Sequence, residues 1–139
     1  MLQLLYVSHA SHDMTDEELH EMLEQARKKN KTLDITGILL FHNSYFMQLL
    51  EGPDEHVASL YDTIRQDPRH RDVQLIGKYS INNRSFNEWN MAYRKLTENE
   101  VRHQKGFSDI FHRRDGSAEL LRNPTILVEM LATLYQINS

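Results

Sequence analysis

Three polar side chains stand out from the apolar pattern of this sequence: Tyr6, Asn30 and Gln48. Gln48 sits in the middle of Phe46-Met47-Gln48-Leu49-Leu50, where both alternating sets are otherwise apolar. That run reads as a central strand covered on two sides. An unpaired buried amide costs roughly 1–3 kcal/mol on mutational scales, so Gln48 needs a partner inside the fold. Tyr6 belongs to a second apolar run, Leu2 to Ser8, on the same face as Leu4 and Ser8. If the two strands are adjacent, phenol and amide meet on one sheet face. Asn30, at the end of a helix, comes near that face. A phenol and two amides at a slot between two helices suit a planar ring with donors and acceptors on its edge. Met22 and Ile64 would be the walls of that slot. The chain offers no phosphate-binding loop, no nucleophilic triad and no metal cage. His9-x-x-His12 has loose metal spacing but lacks acidic or cysteine company, and reads as a solvated loop.

The elements that must position these residues follow from periodicity. Leu2 to Ser8 is a strand. Thr15 is a helix N-cap with Glu18 completing a capping box, and Leu19, Met22, Leu23 and Ala26 form an apolar stripe at helical spacing. Arg27, Lys28 and Lys29 suit the C-terminal end of that helix as a solvated basic run, and Asn30 suits its cap. Ile35 to Phe41 and Tyr45 to Glu51 are strands joined by the tight turn Asn43-Ser44. A second helix over Glu55 to Gln66 buries Val57, Leu60, Tyr61 and Ile64, and Asp67-Pro68 ends it. Val73 to Ile81 is a strand with Val73, Leu75 and Gly77 on one face. Trp89 to Leu96 is the last, with Trp89, Met91 and Tyr93 on one face.

The order β-α-β-β-α-β-β predicts an α+β, ferredoxin-like mixed sheet with both helices on one face. Residues 97–139 are then expected as a two-helix extension on the other face, within the same structural unit as residues 1–96. Thr97 with Glu100 opens the first of these helices and Asn123-Pro124 the second. The stripe Ile126, Leu127, Met130, Leu131, Leu134 and Ile137 is wide enough to cover the sheet and leave surface for a second copy of the chain.

The 139 residues fit one domain, and 40% hydrophobic content marks an ordinary globular chain. A net charge of −4 argues against nucleic acid as the partner. The absence of cysteine excludes disulfides and thiolate chemistry. No apolar run is long enough to span a membrane and no signal peptide is visible, which predicts a cytoplasmic protein.

Taken together, Tyr6 in the first strand, Asn30 before Asp-Ile-Thr-Gly-Ile-Leu-Leu, Phe-Met-Gln-Leu-Leu-Glu-Gly, then Asp-Pro-Arg-His and Trp-Asn-Met resemble a BLUF domain, a blue-light sensor using FAD. The resemblance covers residues 1 to about 96, and the tail resembles that of the short, stand-alone members. It implies an FAD-binding photoreceptor and not an enzyme. Tyr6 would hydrogen-bond Gln48 and give an electron and a proton to the excited flavin. Gln48 would lie between Tyr6 and the flavin, and Asn30 would hold the ring's carbonyl side. Met22 and Ile64 would sandwich the ring, with Asp67, Arg69 and His70 beside the ring and ribityl chain. Ser8, Lys29 and Thr63 complete the expected cofactor contacts. Some members carry asparagine and arginine where this chain has Lys29 and Thr63. Trp89 and Met91 would exchange environment beside Gln48 and carry the signal onward. The resemblance also implies a separate downstream effector.

Two other readings compete. One is a ferredoxin-like dimeric ligand-binding or regulatory module without photochemistry, which predicts a colourless protein. The other is a flavin-dependent redox enzyme, which needs open access to the flavin edge. Singly, each site residue has a plainer role: Asn30 as a helix cap, Tyr6 as a core tyrosine, Gln48 at a sheet edge, Trp89 and Met91 as core, and His70 as a helix-end histidine.

Overall fold

The computed structural model describes residues 1–86 and 90–99. The elements run β1 (Leu2–Ala10), α1 (Asp16–Thr32), β2 (Thr36–His42), β3 (Tyr45–Gly52), α2 (Asp54–Gln66), β4 (His70–Ser80) and β5 (Ala92–Lys95). The sheet order is β4-β1-β3-β2-β5. β1 pairs antiparallel with β3 and β4, and β2 antiparallel with β3. So β1 and β2 are parallel, joined through α1, with β3 between them; β3 and β4 are parallel, joined through α2, with β1 between them. These are the two interleaved β-α-β units of a ferredoxin-like fold. β5 adds at the free edge, parallel to β2.

Local chemistry sets these boundaries. Thr15 caps α1 through Glu18 N–H, and the Glu18 side chain returns to the Thr15 backbone, closing the expected capping box. Asn43 and Ser44 have φ of 50° and 66°, the paired positive values of a two-residue hairpin turn. At Gly37 a β-carbon would collide with the Leu49 carbonyl oxygen, so only glycine lets β2 lie this close to β3.

Several boundaries differ from expectation. α1 continues to Thr32, so Asn30 lies inside its last turn and is not its cap. The Leu33 N–H closes the helix on the carbonyls of Lys29 and Asn30, and Asp34, at φ 57°, turns the chain away. β4 starts at His70 rather than Val73 and slips against β1 twice, between Leu5 and Tyr6 and between Val7 and His9. The slips break the expected alternation: Val73 packs against the helix-side core while Leu75 is 43% exposed. β5 starts at Ala92, leaving Met91 just before it; Trp89 lies outside the described residues. Of the predicted extension over residues 97–139, residues 100–139 lie outside them too.

Leu4, Tyr6, Leu39, Phe41, Phe46 and Leu50 of the sheet pack with Leu19, Met22 and Leu23 of α1 and Val57, Leu60 and Tyr61 of α2. Side chains of this size each gain about 1.5–3 kcal/mol from full burial. On the opposite face Leu5, Val7, Ile38, Leu40, Met47 and Leu49 are buried as well. Both faces of the central strands are therefore dry, as the apolar runs required.

Candidate flavin site

β1 and β3 are neighbours, and their register sets Tyr6 opposite Gln48; β2 sets Leu39 on the other side of Gln48. Tyr6 and Gln48 are both buried. The Tyr6 hydroxyl donates to Gln48 Oε1, and Gln48 Nε2 donates to Met91 Sδ at 3.3 Å. Burial pushes the Tyr6 phenol well above its ordinary value, and the nearby Tyr61 and Asp67 push it the same way. Tyr6 is a neutral donor at any physiological pH, and the Tyr61 ring lies 5.7 Å from its own.

Asn30 is buried, and its Nδ2 donates to the Asn90 carbonyl at 2.9 Å. One of its amide positions is thereby used, and the others are left for the cavity that it lines. Arg27 departs from the solvated role expected of the basic run: its Nε donates to the Met91 carbonyl at 3.1 Å.

At the junction of α2 and β4, Arg69 grips Asp67 with its Nε 3.1 Å from both carboxylate oxygens and one terminal nitrogen 2.7 Å from Oδ2. Burial alone would raise the Asp67 carboxyl, but the side-chain and backbone hydrogen bonds from Arg69 outweigh it and hold it below its usual range. Asp67 in turn raises Arg69. The remaining Arg69 terminal nitrogen reaches Gln25 Oε1 at 3.2 Å. His70 Nδ1 is hydrogen-bonded to Ser8 Oγ at 2.8 Å, and its ring packs 5.0 Å from Phe46. Burial pulls the His70 imidazole down to about 4; Asp67 opposes this and Arg69 adds to it. His70 is therefore neutral at physiological pH.

These residues enclose a slot of about 760 Å³ of empty space, including its open mouth. Met22, Ala26, Lys29 and Asn30 come from α1; Leu60, Thr63 and Ile64 from α2; Tyr6, Leu39 and Gln48 form the sheet floor. Asp67, Arg69 and His70 close one end. Every expected cofactor contact except Ser8 lines this slot, and Ser8 stands behind it on His70. Apolar side chains on two helices, with the Gln48 amide on the floor and the Asn30 amide on α1, fit a planar heteroaromatic ring such as that of FAD.

Sequence reasoning missed Gln25, Ala26, Leu39 and Leu60 as slot residues. A signal existed on α1, because Met22, Gln25, Ala26 and Lys29 share one face at helical spacing. Ala26 and Leu60 were legible only as core. The metal-like spacing at the first histidines resolves differently: His9 belongs to β1, with its Nδ1 2.7 Å from Arg71, and His12 pairs with Glu18 at 2.6 Å. Among the described residues no three side chains are grouped to hold a metal, and no helix is long and apolar enough to cross a membrane.

Residues 1–92 match the BLUF family, sensors of blue light using FAD. The chain belongs to that family. It is 46% identical over 78 residues to the blue light- and temperature-regulated antirepressor BluF of Escherichia coli K12, a match covering 55% of this chain and 19% of that protein. It is 40% identical over 90 residues to photoactivated adenylate cyclase subunit beta of Euglena longa, covering 64% of this chain and 10% of the subunit. Among solved structures it is similar to the dark state of the BLUF protein BlrB, with a TM-score of 0.76, 27% identity and 96% of each chain covered. It is also similar to the photo-activated state of BlsA, at a TM-score of 0.72 and 27% identity, with 97% and 94% covered. The family is one of sensors, in agreement with the expectation of a sensor, and FAD is the cofactor that defines it.

Proposed function

We propose that this chain is a blue-light photoreceptor in which Tyr6 and Gln48 form the switch and Met91 its first relay. The observation that carries this reading is the buried chain from Tyr6 Oη through Gln48 Oε1 and Nε2 to Met91 Sδ, lying at the floor of the slot. FAD, when bound, supplies the blue-light absorption and a transient electron acceptor. Met22, Ile64 and their neighbours hold its ring and exclude water, while Asn30 and Gln48 meet its polar edge. Lys29 and Thr63, with Asp67, Arg69 and His70, surround the rest.

Tyr6 is the electron and proton donor. Burial makes its anion costly, so its proton does not leave ahead of the electron, and Gln48 Oε1 is in place to accept that proton. Electron and proton then return, and the lasting change is in the Gln48 amide, rotated or tautomerised. A rotated amide turns its oxygen toward Met91 Sδ, acceptor against acceptor, and Met91 is released. The change then spreads to β5 and to residues 97–139 as a shift between two arrangements. Gln48→Leu should retain flavin and lose the light-induced red shift of absorption. A normal photocycle in that variant overturns the assignment, and a colourless protein that refuses added FAD would favour a module without photochemistry.

The division into a sensing unit, residues 1–96, and a relaying extension, residues 97–139, belongs to the same proposal. So do association of copies through the apolar stripe from Ile126 to Ile137, transfer of the signal to a separate effector protein, and a cytoplasmic site of action. The stripe's width supports the association of copies.

A further inference from the structure

Two consecutive carbonyls at the entry to β5 are held by α1. Asn30 Nδ2 donates to the Asn90 carbonyl at 2.9 Å, and Arg27 Nε donates to the Met91 carbonyl at 3.1 Å. Arg27 and Asn30 are three residues apart and so face the same way. Glu24, one turn before Arg27, accepts from its guanidinium at 3.0 Å and orients it. Met91 is thus held twice, its backbone by Arg27 and its sulfur by Gln48. A thioether is a weak acceptor on a side chain with several free torsions. It stays on one amide only if the backbone that carries it is fixed.

We propose that Arg27 is a positioning residue for the light response. By fixing the Met91 backbone to α1 it keeps Met91 Sδ on Gln48, so that a change in the Gln48 amide is felt at the start of β5. This rests on the photoreceptor reading above. Arg27 lines no part of the slot and touches no polar atom of Tyr6 or Gln48, so it acts through Met91 alone.

The experiment is a double-mutant cycle of Arg27→Gln and Met91→Leu on the full chain reconstituted with FAD, read by dark recovery of the red-shifted absorption. Arg27→Gln should retain flavin and the size of the red shift and change the recovery rate roughly 3- to 10-fold, the scale of one net hydrogen bond. In the Met91→Leu background the same substitution should have almost no further effect. Light-induced change in amide exchange at Ala92–Lys95 should shrink in Arg27→Gln. Arg27→Lys, which keeps a donor but not the Nε geometry, is the second variant and should fall between. Recovery within about twofold of wild type, or effects that add in full across the cycle, would overturn the proposal. Absence of any photocycle in the wild type would instead remove the reading on which it rests.

Discussion

Tyr6 and Gln48 were legible as partners because strand alternation and one costly buried amide leave few solutions. Each needs what the other has, a donor for Oε1 and an acceptor for the phenol. Arg27 was not legible. Its role depends on a carbonyl 64 positions away in sequence, and a basic residue in the last turns of a helix has a sufficient local explanation. His70 carries a prediction of its own. Its folded value of about 4 lies below the ordinary 6.5, so folding favours the neutral ring. Its contribution is complete above pH 6.5 and is lost as pH falls toward 4, amounting to about 3 kcal/mol by linkage. Chemical denaturation of the apoprotein across that window should show wild type losing more stability than His70→Gln, which cannot titrate but can still partner Ser8. Parallel curves would show that the imidazole is not held neutral.

Elements with strong local signals appear where the sequence put them, and the capped start of α1 and the β2–β3 hairpin are the clearest cases. β4 is the exception, because its two register slips against β1 have no composition signal; Asp72, at φ 53°, shows its strain only in the fold. The connection between β4 and β5 was read simply as a loop, yet it is tied to the sheet by a buried carboxylate. Glu51 is fully buried on the face opposite the slot. It accepts from Gln3 Nε2 at 2.9 Å and from the backbone N–H groups of Ser85 at 3.0 Å and Phe86 at 2.8 Å. Arg84 adds bonds to the Asp34 and Glu51 carbonyls at 2.7 and 3.3 Å. Glu51→Ala orphans three donors and should cost on the order of 3 kcal/mol or more. Urea titration checks it, and a loss under about 1 kcal/mol would mean that water takes over the clamp. With flavin bound, the same variant should keep its absorption spectrum, because Glu51 is on the far face from the slot.

For the whole molecule, the test of association is light scattering at micromolar concentration in darkness and under blue light. The apolar stripe from Ile126 to Ile137 predicts an assembly larger than one chain, and a monomer in both conditions would count against it. The sequence by itself determined the element order, the two-sided burial of the central strands and the pairing of a phenol with an amide. Each follows from short-range periodicity or from the cost of burying a polar group. It also carried the family motifs, whose joint spacing no single residue supplies. Only the tertiary structure decided that Gln48 reaches Met91, that Ala26 and Leu60 line a slot, and that Arg27, Glu51 and Arg84 anchor the approach to β5. Those contacts join residues far apart in the chain, and their partners are fixed by the sheet order and by register slips that leave no periodic trace.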